Sequence, residues 1–366
     1  MKVLTLALLL MLPFAVSAQT DLASADDLDE GWNTLETDGL CTAGTPFQFY
    51  AKTSDASDNL LVYFNGGGAC WFGQACDLSS EPNIHSPFAD MEANNPNVAA
   101  GIFDLENTDN PFSDYDIVFI PYCTGDVFVG SGEKTYNYRD AAGNEVSYTA
   151  HHNGYENAMT SLGWIYENFS AVDNIVVAGS SAGAIGASFY SGLIAEHYPS
   201  SPVVLLADAA GGYRTARLPV TLKAWDTAAI LPDWEEYAGE TNESLTFEDF
   251  YIASENHNPN LRLAQYNAIE DSVQKDFTHV IGDAPGSYSL PLRILSSYQE
   301  IESATDEFFS YTAGGEVHTI LRADIFYDYK VEGTRFVDWV QDLIDGEAVV
   351  DISCVDDAAG CAEAPK

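Results

Sequence analysis

Ser181 is the residue around which the most chemistry gathers. It is the centre of Gly179-Ser180-Ser181-Ala182-Gly183, which follows the apolar run Asn174 to Ala178 and precedes a helix-compatible stretch from Ala184 to His197. A G-x-S-x-G pentapeptide between a buried strand and a helix makes a tight turn that pushes one hydroxyl out at the carboxyl end of a sheet. Side chains at Gly179 or Gly183 would crowd so sharp a turn. The helix that follows aims free N–H groups and a positive dipole end at the place where an oxyanion would form. Ser180, at the first variable position, reads as a packing residue.

A serine hydroxyl is a weak nucleophile at neutral pH, so it needs a general base, and the base needs a group that fixes its tautomer. On sheets with such an elbow the chain order is serine, then acid, then histidine. Among the seven histidines, His85, His151 and His152 precede Ser181, His197 ends the following helix, and His257 and His279 lie in polar, loop-like segments without a placed carboxylate. His318 differs. It follows the last predicted strand, Phe308 to Thr312, across the glycine-rich Ala313-Gly314-Gly315-Glu316-Val317, where a loop can reach back over the hydroxyl. For the acid, the strand Leu261 to Asn267 runs out into a segment in which Asp271 is favoured and Glu270 is its neighbouring competitor. Asp208, at the end of the strand directly after that of the nucleophile, is the other candidate; alternatively it holds the elbow or a loop through hydrogen bonds.

Acyl transfer also requires donors for a developing negative oxygen. Asn65-Gly66-Gly67-Gly68-Ala69-Cys70 follows an early strand and exposes backbone N–H groups. Gly67, Gly68 and Ala182 are the expected donors, each worth roughly 3 kcal/mol of transition-state stabilisation. No Gly-Lys-Ser/Thr follows the glycines, which argues against a phosphate loop.

These residues need a sheet with helices to position them. The strands are predicted over Leu60 to Asn65, Asp116 to Pro121, Asn174 to Ala178, Val203 to Ala207, Leu261 to Asn267 and Phe308 to Thr312. Helices are predicted over Tyr155 to Phe169, after Ser181, and over Thr334 to Ile344. Near-continuous apolar strands such as Ile117-Val118-Phe119-Ile120 suit a mostly parallel central sheet covered on both faces, an α/β architecture. Between 209 and 260 the pattern weakens; this segment reads as an inserted lid over the site, with Tyr213, Trp225 and Trp234 as exposed aromatics. A scaffold that binds carbohydrate through these aromatics without turnover, or a thioesterase or peptidase that uses the same three catalytic residues, is the alternative function.

Lys2, the apolar run Val3 to Val16 and the small-x-small Val16-Ser17-Ala18 predict an export signal over residues 1–18, leaving one catalytic domain over 19–366. The apolar run is short of the roughly 20 residues that span a bilayer, so no membrane span and a secreted or periplasmic location are expected. The six cysteines all follow that signal, and in an oxidising compartment disulfides are the default. Cys70 with Cys76 and Cys354 with Cys361 are close enough for local clips, which leaves Cys41 with Cys123; other pairings stay open. No CxxC pair occurs and no histidine lies at ligand spacing, so no metal is expected. With 56 acidic against 14 basic residues and a formal charge of -42, nucleic acid is excluded as a partner. The scattered acids read as a solvated surface suited to high salt, and a monomer is expected.

In combination, Phe64-Asn65-Gly66-Gly67-Gly68-Ala69-Cys70 with Cys76, Pro121-Tyr122-Cys123-Thr124-Gly125-Asp126, the Ser181 pentapeptide, Asp271-Ser272-Val273-Gln274 and His318 resemble the pectin acetylesterase family, which includes the Notum carboxylesterases. The resemblance runs from about Leu40 to Gly346. It implies an α/β-hydrolase-like fold, a Ser181, Asp271, His318 triad, an oxyanion hole at Gly67, Gly68 and Ala182, disulfides Cys41–Cys123 and Cys70–Cys76, no cofactor, and a small-molecule or polysaccharide ester as substrate. The chain departs from plant members in carrying Gly68-Ala69 where they have Gly-Trp, which is expected to reshape the acyl side of the pocket. Pectin is a polyanion that so acidic a chain would repel at low salt, and acetyl or other short acyl esters are the expected substrates.

Overall fold

A computed structural model describes residues 22–98, 100–282 and 289–354. The predicted signal and Cys361 lie outside these residues.

The strands are β1 (Asn33–Leu40), β2 (Pro46–Lys52), β3 (Leu60–Phe64), β4 (Asp116–Ile120), β5 (Glu133–Arg139), β6 (Glu145–His151), β7 (Ile175–Ser180), β8 (Val203–Asp208), β9 (Leu261–Ala268), β10 (Phe308–Ala313), β11 (Lys330–Val331), β12 (Thr334–Arg335) and β13 (Ile352–Ser353). The helices are α1 (Gly73–Cys76), α2 (Gly154–Asn168), α3 (Ala182–His197), α4 (Leu218–Trp225), α5 (Glu248–His257), α6 (Ser272–Ile281), α7 (Leu290–Glu302), α8 (Ile325–Asp328) and α9 (Phe336–Ile344). Nine strands form one sheet in the order β1-β2-β4-β3-β7-β8-β9-β10-β13. From β4 to β13 every neighbouring pair is parallel, while β1 and β2 join antiparallel at one edge. This mostly parallel, helix-covered sheet is α/β-hydrolase-like.

The strand residues alternate between two cores because successive side chains point to opposite faces. Val62, Phe64, Val177 and Leu205 pack with Leu162 of α2, Ile185 of α3, Phe250 of α5 and Ile294 of α7. Leu61, Tyr63, Val176 and Leu206 pack on the other face with Phe326 of α8 and Phe336, Trp339 and Val340 of α9. All six central strands predicted from apolar runs are present, within about three residues at their ends.

Four expectations change. The β1–β2 edge and the separate β5–β6 hairpin were not foreseen; β5 alternates exposed and half-buried residues and has no apolar run to reveal it. Helix formation begins at Ala182, two residues earlier than expected, and the final helix begins at Phe336 because Thr334 and Arg335 pair with β11. His257 ends α5 and His279 lies within α6, so neither is a loop residue. Tyr213, Trp225 and Trp234 are buried rather than exposed: Trp225 donates its indole N–H to the Cys70 carbonyl, and Trp234 stacks on Tyr237 and His257. The segment between β8 and β9 folds into α4, α5 and two short 3-10 turns.

Cys41–Cys123 and Cys70–Cys76 are disulfides. The first ties the turn after β1 to the segment following β4, where the Thr42 N–H also donates to the Cys123 carbonyl at 2.8 Å. Cys354 is disulfide-bonded as well. No helix among the described residues is long and apolar enough to cross a membrane.

Candidate active site

β7 lies between β3 and β8 and ends at the elbow. Ser181 takes φ 54° and ψ -121°, a conformation that L residues rarely adopt and that costs of order 1–3 kcal/mol. The surroundings hold it there. Its N–H donates 2.7 Å to the Asp208 carbonyl, continuing the β7–β8 ladder past the strand end. A Cβ on Gly179 would lie 2.2 Å from the Gly183 carbonyl oxygen, and one on Gly183 would lie 2.0 Å from that of Phe64. The pentapeptide glycines are therefore required by packing, as the turn demands.

The Ser181 Oγ lies 2.8 Å from His318 Nε2, and His318 Nδ1 lies 2.8 Å from Asp271 Oδ2. With Nδ1–H donating to the carboxylate, Nε2 is left as the acceptor that faces the hydroxyl. Asp271 is fully buried at the N-cap of α6, where it accepts from the Gln274 backbone N–H at 2.9 Å and from Gln274 Nε2 at 2.9 Å. Gln274 is itself held by Asn267 Oδ1 and the Gly212 N–H. The helix terminus and these donors fix the carboxylate in place beside the ring. Glu270, the competitor, is exposed and pairs with Lys275.

The glycine loop follows β3 and leans on the elbow. A Cβ at Gly66 would stand 2.5 Å from the Ser180 carbonyl oxygen, one at Gly67 would meet the Tyr122 ring, and one at Gly68, which has φ +76°, would meet the Ile84 carbonyl oxygen at 2.0 Å. Gly67 and Gly68 donate to no acceptor among the described residues, and Ala182 opens the first turn of α3. Three backbone N–H groups thus remain available beside Ser181. Asn65 anchors the loop through Nδ2 to Ala93 O and Asn94 Oδ1, while its Oδ1 accepts from Arg322. Cys70–Cys76 and the Cys70 N–H bond to Gly125 O brace the far end.

Two spaces meet at Ser181. On one side is a small, strongly apolar pocket of about 30 Å³, opening to solvent, with Ala69, Trp71, Val127, Trp225, Phe247 and Phe277 among its walls. On the other is a wider, open cleft of about 650 Å³ that includes Glu92, Val273, His318, Thr319 and Arg322. Ala69 does line the apolar pocket, but Trp71 and Trp225 supply aromatic bulk nearby. Tyr213 lines the apolar pocket together with Ser181, and burial raises the pKa of its hydroxyl.

The remaining histidines sit elsewhere. His85 and His152 are buried, and burial pushes both down to about 4, which keeps them neutral. His197 stacks on Tyr166, His151 faces Glu133, and His257 lies between Glu196 and Glu236. Sequence reasoning missed Trp71, Phe247 and Phe277 as walls. The i, i+4 pair Phe277 and Ile281 on α6 was the available signal, but it reads equally as an ordinary core stripe.

The chain is 29% identical to palmitoleoyl-protein carboxylesterase NOTUM of Mus musculus over 180 residues, 48% of this chain and 34% of that protein. It is 28% identical to the Homo sapiens protein of the same name over the same lengths. It is also 32% identical over 96 residues to the Danio rerio protein named inactive palmitoleoyl-protein carboxylesterase notum1b, 26% of this chain and 68% of that one. The match spans about a third of the length of the mouse and human relatives. Residues 31–226, more than half of the chain, match the pectinacetylesterase family, and the chain belongs to that family.

Proposed function

We propose that this protein is an exported, monomeric serine carboxylic ester hydrolase that works through an acyl-enzyme on Ser181 and uses no cofactor. His318 Nε2 takes the hydroxyl proton as Oγ bonds to the ester carbonyl carbon. The carbonyl oxygen becomes an oxyanion held by the N–H groups of Gly67, Gly68 and Ala182. As the intermediate collapses, the bond to the alcohol oxygen breaks and His318 returns the proton to that oxygen. Water then repeats the sequence on the acyl-enzyme, releasing the acid and restoring the Ser181 hydroxyl. Asp271 holds His318 in the required tautomer and supports its positive form.

The single observation that carries the reading is the continuous relay from Ser181 through His318 to Asp271, at 2.8 Å and 2.8 Å, beside unpaired main-chain amides. The apolar pocket suits the acyl group, and the open cleft suits the alcohol part. Short acyl esters are the substrate class, in keeping with the small volume of the apolar pocket. Disulfides fit an oxidising destination. Carbohydrate binding without turnover loses its support, because the aromatics that would stack on sugars are buried. The test is p-nitrophenyl acetate and butyrate hydrolysis by Ser181→Ala: the reading expects turnover to collapse, and undiminished turnover would refute it.

A further inference from the structure

Asp208 is a fully buried carboxylate that the proposed chemistry does not use. It ends β8, and the chain turns sharply after it at Ala209, which has φ 66°. Its Oδ2 accepts from Ser180 Oγ at 2.8 Å, from the Ile320 N–H at 3.0 Å and from the Leu321 N–H at 3.0 Å; Oδ1 also faces the Ile320 N–H at 3.2 Å. Ser180 Oγ in turn accepts from the Tyr63 hydroxyl at 2.8 Å. The last residue of β8 thus grips two things at once: the elbow, through Ser180, and the segment two and three residues beyond His318.

The histidine needs such a grip. His318 lies in an irregular stretch between β10 and α8, and its ring is about one-fifth exposed. Nothing in regular secondary structure fixes the distance from that stretch to Ser181. The backbone of Asp208 adds a third tie, since its carbonyl accepts the Ser181 N–H.

We propose that Asp208 is a positioning residue for the esterase reaction: it locks the His318 loop to the nucleophile elbow, and its negative charge helps stabilise the imidazolium form of His318. The proposal rests on the serine-hydrolase reading given above. The charged and titratable groups around the two residues are Tyr63 and Tyr266 against Asp208, Arg322 beyond Tyr63, and Asp271 against His318. Arg322 is engaged by Asn65 Oδ1 and the Ala93 and Asn95 carbonyls, so it does not neutralise Asp208 by direct contact. Burial pushes the Asp208 carboxyl up to about 7, while its donors favour the anion.

Two substitutions separate geometry from charge. In Asp208→Asn the amide oxygen can take the place of Oδ2 and keep its three acceptor bonds, so the charge is lost with no more than the longer Oδ1 contact to the Ile320 N–H. In Asp208→Ala both are lost. The experiment measures kcat, KM and the pH dependence of kcat/KM on p-nitrophenyl butyrate for wild type, both variants and Ser181→Ala, with Tm for each. Asp208→Asn is expected to lower kcat several-fold at about pH 8, where Asp208 is ionised, with KM unchanged, and to approach the wild-type kcat/KM below about pH 6, where wild-type Asp208 carries a proton and no charge. Asp208→Ala is expected to lose about 100-fold in kcat, the scale of a misplaced catalytic group. A wild-type kcat in Asp208→Asn at about pH 8, or a loss of equal size at every pH, would overturn the proposal, as would a fall in Tm alone. If Asp208→Ala does not fold, Asp208→Asn still decides. Persistent turnover in Ser181→Ala would instead overturn the underlying hydrolase reading.

Discussion

The carboxyl ends of β8 and β9, adjacent strands of one sheet, each carry a fully buried aspartate, yet the two side chains face different partners. Asp271, three residues past β9, touches the imidazole ring and is braced by Gln274 and a helix terminus. Asp208, the last residue of β8, touches a serine hydroxyl and two backbone amides and reaches no ring nitrogen. Burial and strand position are therefore poor guides to which acid belongs to a proton relay. The direction in which the chain leaves the strand decides it. β9 runs on through Ile269 and Glu270, whose N–H groups bond to Ala313 O and Gly315 O, and this carries Asp271 alongside the loop that bears His318.

The largest expected effect comes from breaking the β9 end. Asp271→Asn should cut kcat by about 10⁴, because the amide presents a donor to Nδ1 and favours the wrong tautomer. Assay of short acyl esters at neutral pH checks this. A loss smaller than that of Asp208→Asn would reverse the assignment of the two acids. Next comes the loop that completes the site: Gly67→Ala places a methyl against the Tyr122 ring and Ser86, and loss of one oxyanion donor is expected to lower kcat by about 10²–10³. A preserved far-UV spectrum with that loss would separate misplaced donors from unfolding.

The order of difficulty in reading this chain from its sequence follows from burial. The central strands are apolar on both faces, so runs such as Val203 to Leu206 are visible without context. β1, β5 and β6 are partly exposed and carry Glu, Thr, Lys and Asn, which leaves no run to find. Ser181 was legible because a sharp turn restricts five consecutive residues. His318 was legible from chain order and from its place beyond the last strand, while the choice of Asp271 over Asp208 rested on position alone. The pocket walls were not legible. Trp71, Phe247 and Phe277 come from three distant segments, and an apolar residue that lines a cavity has the same local pattern as one that fills a core. The burial of Trp225 and Trp234 was hidden for a related reason: their indole partners, Cys70 O and the His257 ring, are far away in sequence.

The β8 end offers a pH test of the same contrast. The Asp208 carboxyl is raised above its ordinary range to about 7, by burial first. Between about pH 4 and 7 the folded chain therefore holds a proton at this site that the unfolded chain has released, so this group's contribution to stability falls as pH rises. Asp208→Asn has no proton to lose. Its Tm relative to wild type should climb steadily from pH 4 to pH 7, by thermal melts in matched ionic strength. A difference that stays flat across the range would show that the charge at the β8 end costs the fold nothing. The smallest effect concerns the whole surface. With a formal charge of -42, raising salt should improve kcat/KM for an anionic ester relative to a neutral one by a few-fold, as the Debye length shrinks below about 10 Å. Equal salt responses would mean that the cleft is shielded from the surface charge.

The most direct test of the central claim is covalent. A fluorophosphonate probe followed by peptide mass spectrometry on wild type, His318→Ala and Asp271→Asn reads the nucleophile and its base together. The account predicts one adduct on wild type, on the peptide containing Ser181, with labelling slowed by orders of magnitude in both variants. An adduct at another residue, or wild-type labelling of Ser181 without His318, would contradict it.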